Sequence, residues 1–391
     1  MAARSALDVA IVGDGPAGSA LARQLADQGV DVALFGNDQR WEATYTTWAD
    51  DLDGVPVLAG ADIWLHRFET VAAHFDRDIT IDRPYGVIDN EMLRDVLRRG
   101  VEHRIGTVGS SDELGARIVV DATGWPSGLD RRDRELAEGD GVAWQTALGV
   151  VLDEPPSGPL GRPTVMDFSG PAQPGGDVDL PTFAYAFPVV DGWLVEETVL
   201  AGPRLDPDRL TARLAARLDE PASSLLSRAR RVERVRIPMG APVPETPGVG
   251  LPAQVRFGAA AGMIHTATGY SVASSLRAVE RVGDAIVRQR HGTPDARALA
   301  DAVWPRPLLR SRRLHDFGLD VLLTMDRDQL RRFFQTFFEL PTERWASYLR
   351  VDTPPATLAG VMTAMFRRAD RSLRRELVTG NPRLLLRALW P

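Results

Sequence analysis

The stretch Asp8-Val9-Ala10-Ile11-Val12-Gly13-Asp14-Gly15-Pro16-Ala17-Gly18 stands near the start of the chain and decides the fold. Its apolar first half predicts a strand, and Ser19 to Gln28 is predicted to form a helix with Leu21 and Leu25 on one face. Val30 to Phe35 is a second apolar strand. A strand, a glycine turn, a helix and a strand predict a dinucleotide-binding unit, in which the glycines let the backbone approach a pyrophosphate at the helix N-terminus.

A glycine pattern of this kind can also mark an ordinary tight turn, and the pattern alone is weak evidence for a nucleotide. The strand before it and the helix after it favour the nucleotide. In this fold an acidic residue usually ends the second strand and binds the ribose hydroxyls, but Gly36 stands there. Looser ribose binding is one explanation, and Asp38 is our candidate to reach the ribose instead.

The composition excludes several classes of chemistry. The chain has 391 residues and no Cys, and all 46 basic residues are Arg, so thiolate, Schiff-base and P-loop chemistry are absent. We expect no metal site. The net charge of −7 argues against a nucleic-acid partner. No apolar run approaches the roughly 20 residues that span a bilayer, and no signal-peptide pattern is present, so we expect a cytoplasmic protein.

The remaining patterns predict an α/β fold with three parts. Residues 1–140 and 237–300 would form a Rossmann-like domain, 141–236 an inserted antiparallel-sheet domain that faces the substrate, and 301–391 a helical C-terminal region. The insert is predicted from short β-rich runs between Pro- and Gly-rich connections: Val142–Leu152, Phe183–Val190 and Trp193–Leu200. In the first domain we predict a helix over Tyr85–Arg99, a strand over Ala116–Asp121 that leads to Gly124, and a helix over Ser271–Arg288.

Further segments carry a resemblance to a known family. They are Thr44–Asp50, Val120–Gly124, Ala143–Gly149, Val165–Asp167, Leu194–Thr198, Ile237–Gly240, Ala261–His265, Thr268–Val272, Trp304-Pro305, Phe317-Gly318 and Arg332–Trp345. With these segments in this order, the chain resembles the FAD-dependent lycopene cyclases of carotenoid biosynthesis. Four sites depart from the family pattern: Thr266 replaces a proline, Phe168-Ser169 replaces Trp-Arg, and Val87 and Asn90 replace arginines.

The resemblance implies an FAD-binding Rossmann-like domain and a cyclisation without net redox change. A proton adds to a terminal double bond of a linear polyene, an internal double bond attacks the cation, and a proton is lost to leave an ionone-type ring. Reduced FAD would supply the electron-rich partner, and NAD(P)H would only keep the flavin reduced. The alternatives are an NAD(P)H-driven flavin monooxygenase acting on a hydrophobic substrate, and a non-catalytic flavin- or isoprenoid-binding protein.

Two adjacent carboxylates are the candidates for the acid. Glu196 and Glu197 lie on one predicted strand, so their side chains should point to opposite faces of the sheet. The pattern alone does not say which one faces the substrate. The resemblance implies the first, Glu196, with a pKa raised by an apolar pocket. Either residue could instead form a surface ion pair.

The other candidate residues follow from the resemblance and from the glycine pattern. His265 is either a proton relay near the flavin or a buried, hydrogen-bonded histidine. The expected cofactor-binding residues are Gly13, Gly15, Pro16, Ala17, Gly18, Asp38, Trp48, Gly124, Gly262, Met263, Thr268, Gly269 and Tyr270. The expected substrate-lining residues are Asp167, Tyr185, Phe187 and Met239, and Asp167 has the alternative of capping a turn.

The C-terminal region offers two interpretations of one aromatic pattern. Phe333, Phe334, Phe337 and Phe338 recur at helical spacing beside Arg331 and Arg332. This spacing is foremost a packing signal, so we favour a helix that closes the substrate tunnel. The last 91 residues hold 16 Arg against 10 Asp or Glu, a net +6, which also fits peripheral contact with an anionic membrane. The sequence does not indicate an oligomeric state.

Overall fold

The computed structural model describes residues 7–139, 142–170, 180–203, 206–245 and 252–379. The predicted domain limits at residues 1, 140, 141 and 391 lie outside these ranges. Its strands are β1 Leu7–Val12, β2 Val32–Gly36, β3 Thr46–Trp48, β4 Trp64–Phe68, β5 Val71–His74, β6 Asp78–Ile81, β7 Tyr85–Ile88, β8 Glu102–Ile105, β9 Ala116–Asp121, β10 Ala143–Leu152, β11 Thr164–Asp167, β12 Thr182–Val189, β13 Gly192–Gly202, β14 Arg231–Met239 and β15 Ala253–Arg256. Its helices are α1 Pro16–Asp27, α2 Asn90–Arg98, α3 Arg131–Glu138, α4 Pro207–Arg217, α5 Ala222–Arg228, α6 Val272–Arg288, α7 Ala296–Val303, α8 Arg306–Leu323, α9 Arg327–Phe338, α10 Thr342–Tyr348, α11 Pro355–Arg368 and α12 Arg371–Thr379.

The glycine motif follows the first strand of a parallel sheet, as the sequence predicts. Five strands lie in the order β15-β9-β1-β2-β8, and every neighbouring pair is parallel. Helix α1 packs on this sheet beside α6. Gly283 of α6 allows this close approach, because a Cβ there would lie 2.9 Å from Cγ of Gln24. The mixed α/β class with a Rossmann-like domain is therefore confirmed.

A second sheet of seven strands has the order β14-β10-β13-β12-β11-β5-β6. The pairs from β14 to β11 are antiparallel, whereas β11 and β5 run parallel. Strands β5 and β6 come from the first 140 residues, so the predicted boundary near residue 140 does not separate the two sheets. Their residues Val71–His74 are all buried, and pairing with β11 supplies the backbone hydrogen bonds that this segment needs.

The prediction of one helix over Tyr85–Arg99 is wrong in its first part. Tyr85–Ile88 forms β7, the central strand of a three-stranded sheet with β3 and β4. All four of its residues are buried, and the tertiary contacts decide the conformation of this short aromatic and β-branched run. Helix α2 begins only after Asp89, whose side chain accepts hydrogen bonds from the backbone N–H groups of Glu91 and Met92.

The C-terminal region is helical from α8 to α12 and packs over the seven-stranded sheet. Phe334 and Phe337 of α9 are buried, and Phe333 and Phe338 are partly buried in the same core cluster. Phe75 of the β5–β6 turn stacks on Phe338 at 5.9 Å between ring centroids. The aromatic pattern is thus a packing face, and none of the helices within the described residues is both long and apolar enough to cross a membrane.

Candidate active site

A large cavity of about 1100 Å³ lies between the seven-stranded sheet and the segments that cover it. Strands β10, β12, β13 and β14 form its floor, and residues 40–48, the 267–273 loop and α9 form its walls. Three of the predicted aromatic residues line it: Phe334, Phe337 and Phe338. Apolar side chains such as Leu65, Phe183 and Phe334 suit a hydrophobic ligand, and polar and charged side chains make up the rest of the lining.

Glu196 faces this cavity. It is only partly exposed, and that exposure is toward the cavity that it lines. Burial, together with the charge of nearby Glu233, raises its pKa to about 8, and a 2.9 Å hydrogen bond from Thr198 Oγ1 opposes this shift. Near neutral pH the group is therefore a carboxylic acid that still holds its proton.

Glu197 points to the opposite face of β13, as strand alternation requires. There it is 2% exposed and accepts two hydrogen bonds from Arg217, at 2.6 Å from Nε and 3.1 Å from Nη2. Asp167 lies on this same side, 3.8 Å from Arg217, and its Oδ1 accepts a hydrogen bond from the Ser169 backbone N–H. Glu197 and Asp167 therefore form a buried ion-pair cluster away from the cavity, and Asp167 caps a turn.

A second carboxylate in the cavity is not indicated by any sequence motif. Glu233 of β14 and Glu196 of β13 are both paired with Gly149 of the intervening strand β10. Strands lie about 4.8 Å apart, so the two backbones are about 10 Å apart with both side chains on one face. A Cβ at Gly149 would lie 2.7 Å from Leu194 Cδ1 and 3.4 Å from Glu196 Cβ. The missing side chain at Gly149 thus makes room for the side chains of Leu194 and Glu196 on this face of the sheet.

Glu233 is held in place by donors on the cavity wall. It accepts hydrogen bonds of 2.8 Å from the Thr44 backbone N–H, 2.8 Å from Thr44 Oγ1 and 3.0 Å from Arg231 Nη1. Three donors, one of them charged, fix this carboxylate, whose negative charge helps to raise the pKa of Glu196. The site therefore pairs a neutral acid with a fixed negative charge.

Three tyrosines form a hydrogen-bonded cluster beside Glu196. The Tyr85 hydroxyl lies 3.0 Å from that of Tyr270 and 3.3 Å from that of Tyr185, and Thr46 Oγ1 lies 2.7 Å from the Tyr185 hydroxyl. Burial raises the pKa of each phenol well above its ordinary value, so all three stay neutral. Tyr185 is also the cross-strand partner of Glu196 on β12. The cluster gives the cavity an aromatic, uncharged wall.

His265 is fully engaged with backbone groups. Its Nε2 donates to the Tyr348 carbonyl at 2.9 Å, and its Nδ1 accepts from the Ala267 N–H at 3.3 Å. His315 donates to the same carbonyl at 3.0 Å. Burial lowers the pKa of His265 to about 4. This arrangement is that of the buried, hydrogen-bonded histidine, which ties the 265–270 loop to α10.

The glycine motif has the geometry of a phosphate cradle. A Cβ at Gly13 would collide with the Ala122 carbonyl, and one at Gly18 would collide with Gly13, whereas one at Gly15 would meet no atom within 4 Å. The loop is therefore close-packed inward and open outward at Gly15. Helix α1 begins at Pro16 with no acid in its first turn and no side-chain cap among the described residues. Its N–H groups suit an anionic pyrophosphate, so these residues fit a dinucleotide.

The other predicted cofactor residues lie in several places, and only some of them line the cavity. Gly124 has φ +94° and faces open space beyond β9. Asp38 is half-exposed and pairs with Arg94 and Arg98. Trp48, Thr268, Gly269 and Tyr270 line the cavity, while Ala17, Gly262 and Met263 lie outside its lining. Of the predicted substrate residues, Tyr185 lines the cavity, whereas Asp167, Phe187 and Met239 do not.

Comparison with known proteins shows which family the chain is similar to. Residues 8–375 match the family model described as lycopene cyclase protein. The lycopene beta cyclase of Arabidopsis thaliana chloroplasts is 31% identical, over 95% of this chain and 80% of that protein. A protein of Deinococcus radiodurans, described as an uncharacterised carotenoid cyclase, is 33% identical over 92% of this chain and 90% of its own length.

The fold also resembles solved structures of flavin enzymes. The structure of pqsL, a probable FAD-dependent monooxygenase of Pseudomonas aeruginosa, superposes with a TM-score of 0.53 at 18% identity. The match covers 83% of this chain and 98% of that one. At such low identity the similarity concerns the fold alone.

Proposed function

The chain belongs to the lycopene cyclase family, and from this premise we propose that it closes the end group of a linear carotenoid into a ring of the β-ionone type. The observation that carries the proposal is Glu196, a carboxylic acid with a pKa of about 8 on the wall of a large cavity that apolar and aromatic side chains line in part. Because the group still holds its proton near neutral pH, it can act as a general acid toward a double bond in the cavity.

FAD is the cofactor that the family and the fold support. The Gly13–Gly18 loop and the α1 N-terminus would bind its pyrophosphate, and residues 268–270 with the α6 N-terminus would lie toward the flavin. When bound in its reduced form, FAD supplies an electron-rich ring that stabilises positive charge in the cavity. NAD(P)H is proposed as the reductant that keeps it in that form.

The reaction begins with proton transfer from the carboxylic acid of Glu196 to the terminal double bond. The resulting tertiary cation is attacked by the internal double bond, which forms the carbon–carbon bond of the ring. A ring proton then returns to the Glu196 carboxylate and leaves a ring double bond. The substrate and the product have the same elemental formula, and the acid is regenerated.

Glu233 acts as a positioning residue for this proton. Its negative charge lies across Gly149 from Glu196 and disfavours a second negative charge, so Glu196 remains protonated until the polyene is in place. The same fixed charge favours the carbocation that forms in the cavity. Tyr185 and Tyr270 line the cavity with neutral aromatic rings, which suits a cationic intermediate.

The direct test is anaerobic incubation of the FAD-reconstituted, reduced protein with lycopene in deuterated water. We expect a cyclic product that carries one solvent deuterium for each ring, detected by mass spectrometry after chromatography. Glu196→Gln should abolish this product while FAD binding is retained. An oxygenated product with matching oxygen uptake in air would instead identify a monooxygenase, and an unchanged polyene with bound FAD would favour a non-catalytic binder.

We also propose peripheral contact of the C-terminal helices with an anionic membrane, where a hydrocarbon substrate resides. Support comes from the net +6 of residues 301–391 and from Phe366 of α11, which is 40% exposed beside Arg367 and Arg368. Binding to vesicles that contain anionic lipid should be lost at high salt. Equal binding to neutral vesicles would contradict this proposal.

A further inference from the structure

The carboxylate of Asp14 occupies the place where a side chain at the end of β2 would lie. Gly36 ends β2, and a Cβ built on it would overlap with Cβ, Cγ and Oδ2 of Asp14. Asp14 belongs to the loop between β1 and α1, so its side chain reaches across the end of the neighbouring parallel strand. A larger residue at position 36 is incompatible with this placement of Asp14.

The end of β2 is the position at which dinucleotide-binding folds usually carry an acidic residue. In dinucleotide-binding folds an acid at the end of the second strand hydrogen-bonds the ribose hydroxyls. The chain has the parallel sheet, the glycine loop and the uncapped α1 N-terminus of that fold, but glycine at the position of the acid. We propose that Asp14 supplies the ribose-binding carboxylate for the adenosine half of FAD, from the glycine loop instead of from β2.

The side chain of Asp14 is fixed in the position that this role needs. Its Oδ2 accepts a hydrogen bond of 2.9 Å from the Asp38 backbone N–H and lies 3.0 Å from Arg98 Nη2. Arg98 also donates to the Asp14 carbonyl at 2.6 Å, so it holds both ends of the residue. A carboxylate accepts about four hydrogen bonds. Asp14 can therefore keep these partners and accept from both ribose hydroxyls.

Asp38, the residue expected from the sequence, is placed differently. Its side chain is 41% exposed and pairs with Arg94 and with Arg98, the arginine that also contacts Asp14. Asp14, Asp38 and His103 also offer atoms within 4.8 Å of one another, which is the spacing of a cation site. The two guanidinium groups already contact these carboxylates, and a cation would have to displace both.

The experiment measures FAD affinity of the apoprotein by flavin fluorescence quenching. Asp14→Asn should weaken FAD binding by about 10- to 100-fold, because a charge-assisted acceptor is lost. Asp38→Asn should change it by less than about threefold. Circular dichroism and the melting temperature of each apoprotein report whether a variant remains folded.

A more specific experiment compares Gly36→Glu in the original chain with Gly36→Glu in a chain that also carries Asp14→Gly. Gly36→Glu alone should weaken FAD binding, because the new side chain collides with Asp14. Combined with Asp14→Gly, it should restore affinity to within about threefold of the original chain, because the acid returns to the end of β2. The proposal is overturned if Asp14→Asn leaves FAD affinity unchanged, if Asp38→Asn weakens it as much, or if Gly36→Glu acts alike in both backgrounds.

A divalent cation that binds tightly at Asp14, measured by calorimetry with Mn²⁺, would also overturn the proposal. These readouts need no turnover. The inference rests on the flavin cofactor and not on cyclisation, so an inactive cyclase with the predicted FAD affinities would refute only the proposed reaction.

Discussion

Replacing Glu196 with Gln should stabilise the fold at pH 8 and change it little near pH 4.5. In the fold this carboxyl keeps its proton up to a pKa of about 8, mainly because it is buried, whereas in an unfolded chain it ionises near 4.5. A raised pKa contributes stability that is fully present below pH 4.5 and is lost as the pH rises toward 8. The amide that replaces the carboxyl group does not ionise, so the variant escapes this loss.

The size of the effect follows from the two pKa values. At about 1.4 kcal/mol for each pH unit, the interval from 4.5 to about 8 corresponds to at most about 5 kcal/mol. Glu196 is partly exposed to the cavity, and water there screens part of the penalty, so we expect about 2 to 4 kcal/mol at pH 8.

The assay is urea unfolding of the apoprotein, followed by far-ultraviolet circular dichroism at several pH values between about 5 and 8. The free energy of unfolding of Glu196→Gln minus that of the original chain should rise steadily with pH. Glu154→Gln, at an exposed glutamate, is the matched control and should give a flat difference. A flat difference for Glu196→Gln, or a variant less stable at pH 8, would refute the assignment of a buried neutral acid.

Three further outcomes are expected. Glu233→Gln removes the charge that helps to keep Glu196 protonated, so the upper pH limit of kcat should fall while KM stays similar; an unmoved profile would exclude this coupling. Gly149→Ala puts a methyl group 2.7 Å from Leu194 Cδ1, so it should cost about 1 to 3 kcal/mol of stability and lower kcat, with FAD affinity unchanged as the check. The lowered pKa of His265, about 4 against 6.5 in an unfolded chain, predicts up to about 3 kcal/mol of stability lost as the pH falls from 6.5 to 4. His265→Gln should show a flatter acid limb in urea unfolding, and an equally steep one would contradict the neutral, buried imidazole.

The sequence predicts the features that depend on residues close to one another along the chain. The β1-α1-β2 unit follows from the glycine motif, and opposite faces for Glu196 and Glu197 follow from strand alternation. The choice between the two faces does not, because it depends on which side of the sheet α4 covers with Arg217. The helix predicted over Tyr85–Ile88 is wrong because pairing with β3 and β4, which determines the conformation there, involves residues distant in sequence.

Contacts between segments that are distant in sequence determine the positions of Glu233 and Asp14, the two carboxylates that no sequence motif indicates. Glu233 stands 37 positions after Glu196, and only the shared register on Gly149 brings them to one row. In the sequence, Asp14 is simply a variable position of the glycine loop. Only the pairing of β1 with β2 shows that its carboxylate lies over Gly36. In both cases a glycine is the signal available from the sequence, because it leaves room for a carboxylate from another strand or loop.

The two faces of β13 show why a flavin-enzyme fold can support acid chemistry. Glu197 accepts two hydrogen bonds from Arg217, and this buried ion pair joins α4 to the sheet. Glu196, one residue earlier, is buried beside the negative charge of Glu233, so its ionisation is disfavoured and the proton is retained, although Thr198 donates a hydrogen bond to it. Exchanging these environments would remove the acid without altering the strand. Placing an arginine opposite Glu196, as in Tyr185→Arg, should therefore lower the pKa of Glu196 and abolish cyclisation, while FAD binding at the glycine motif persists.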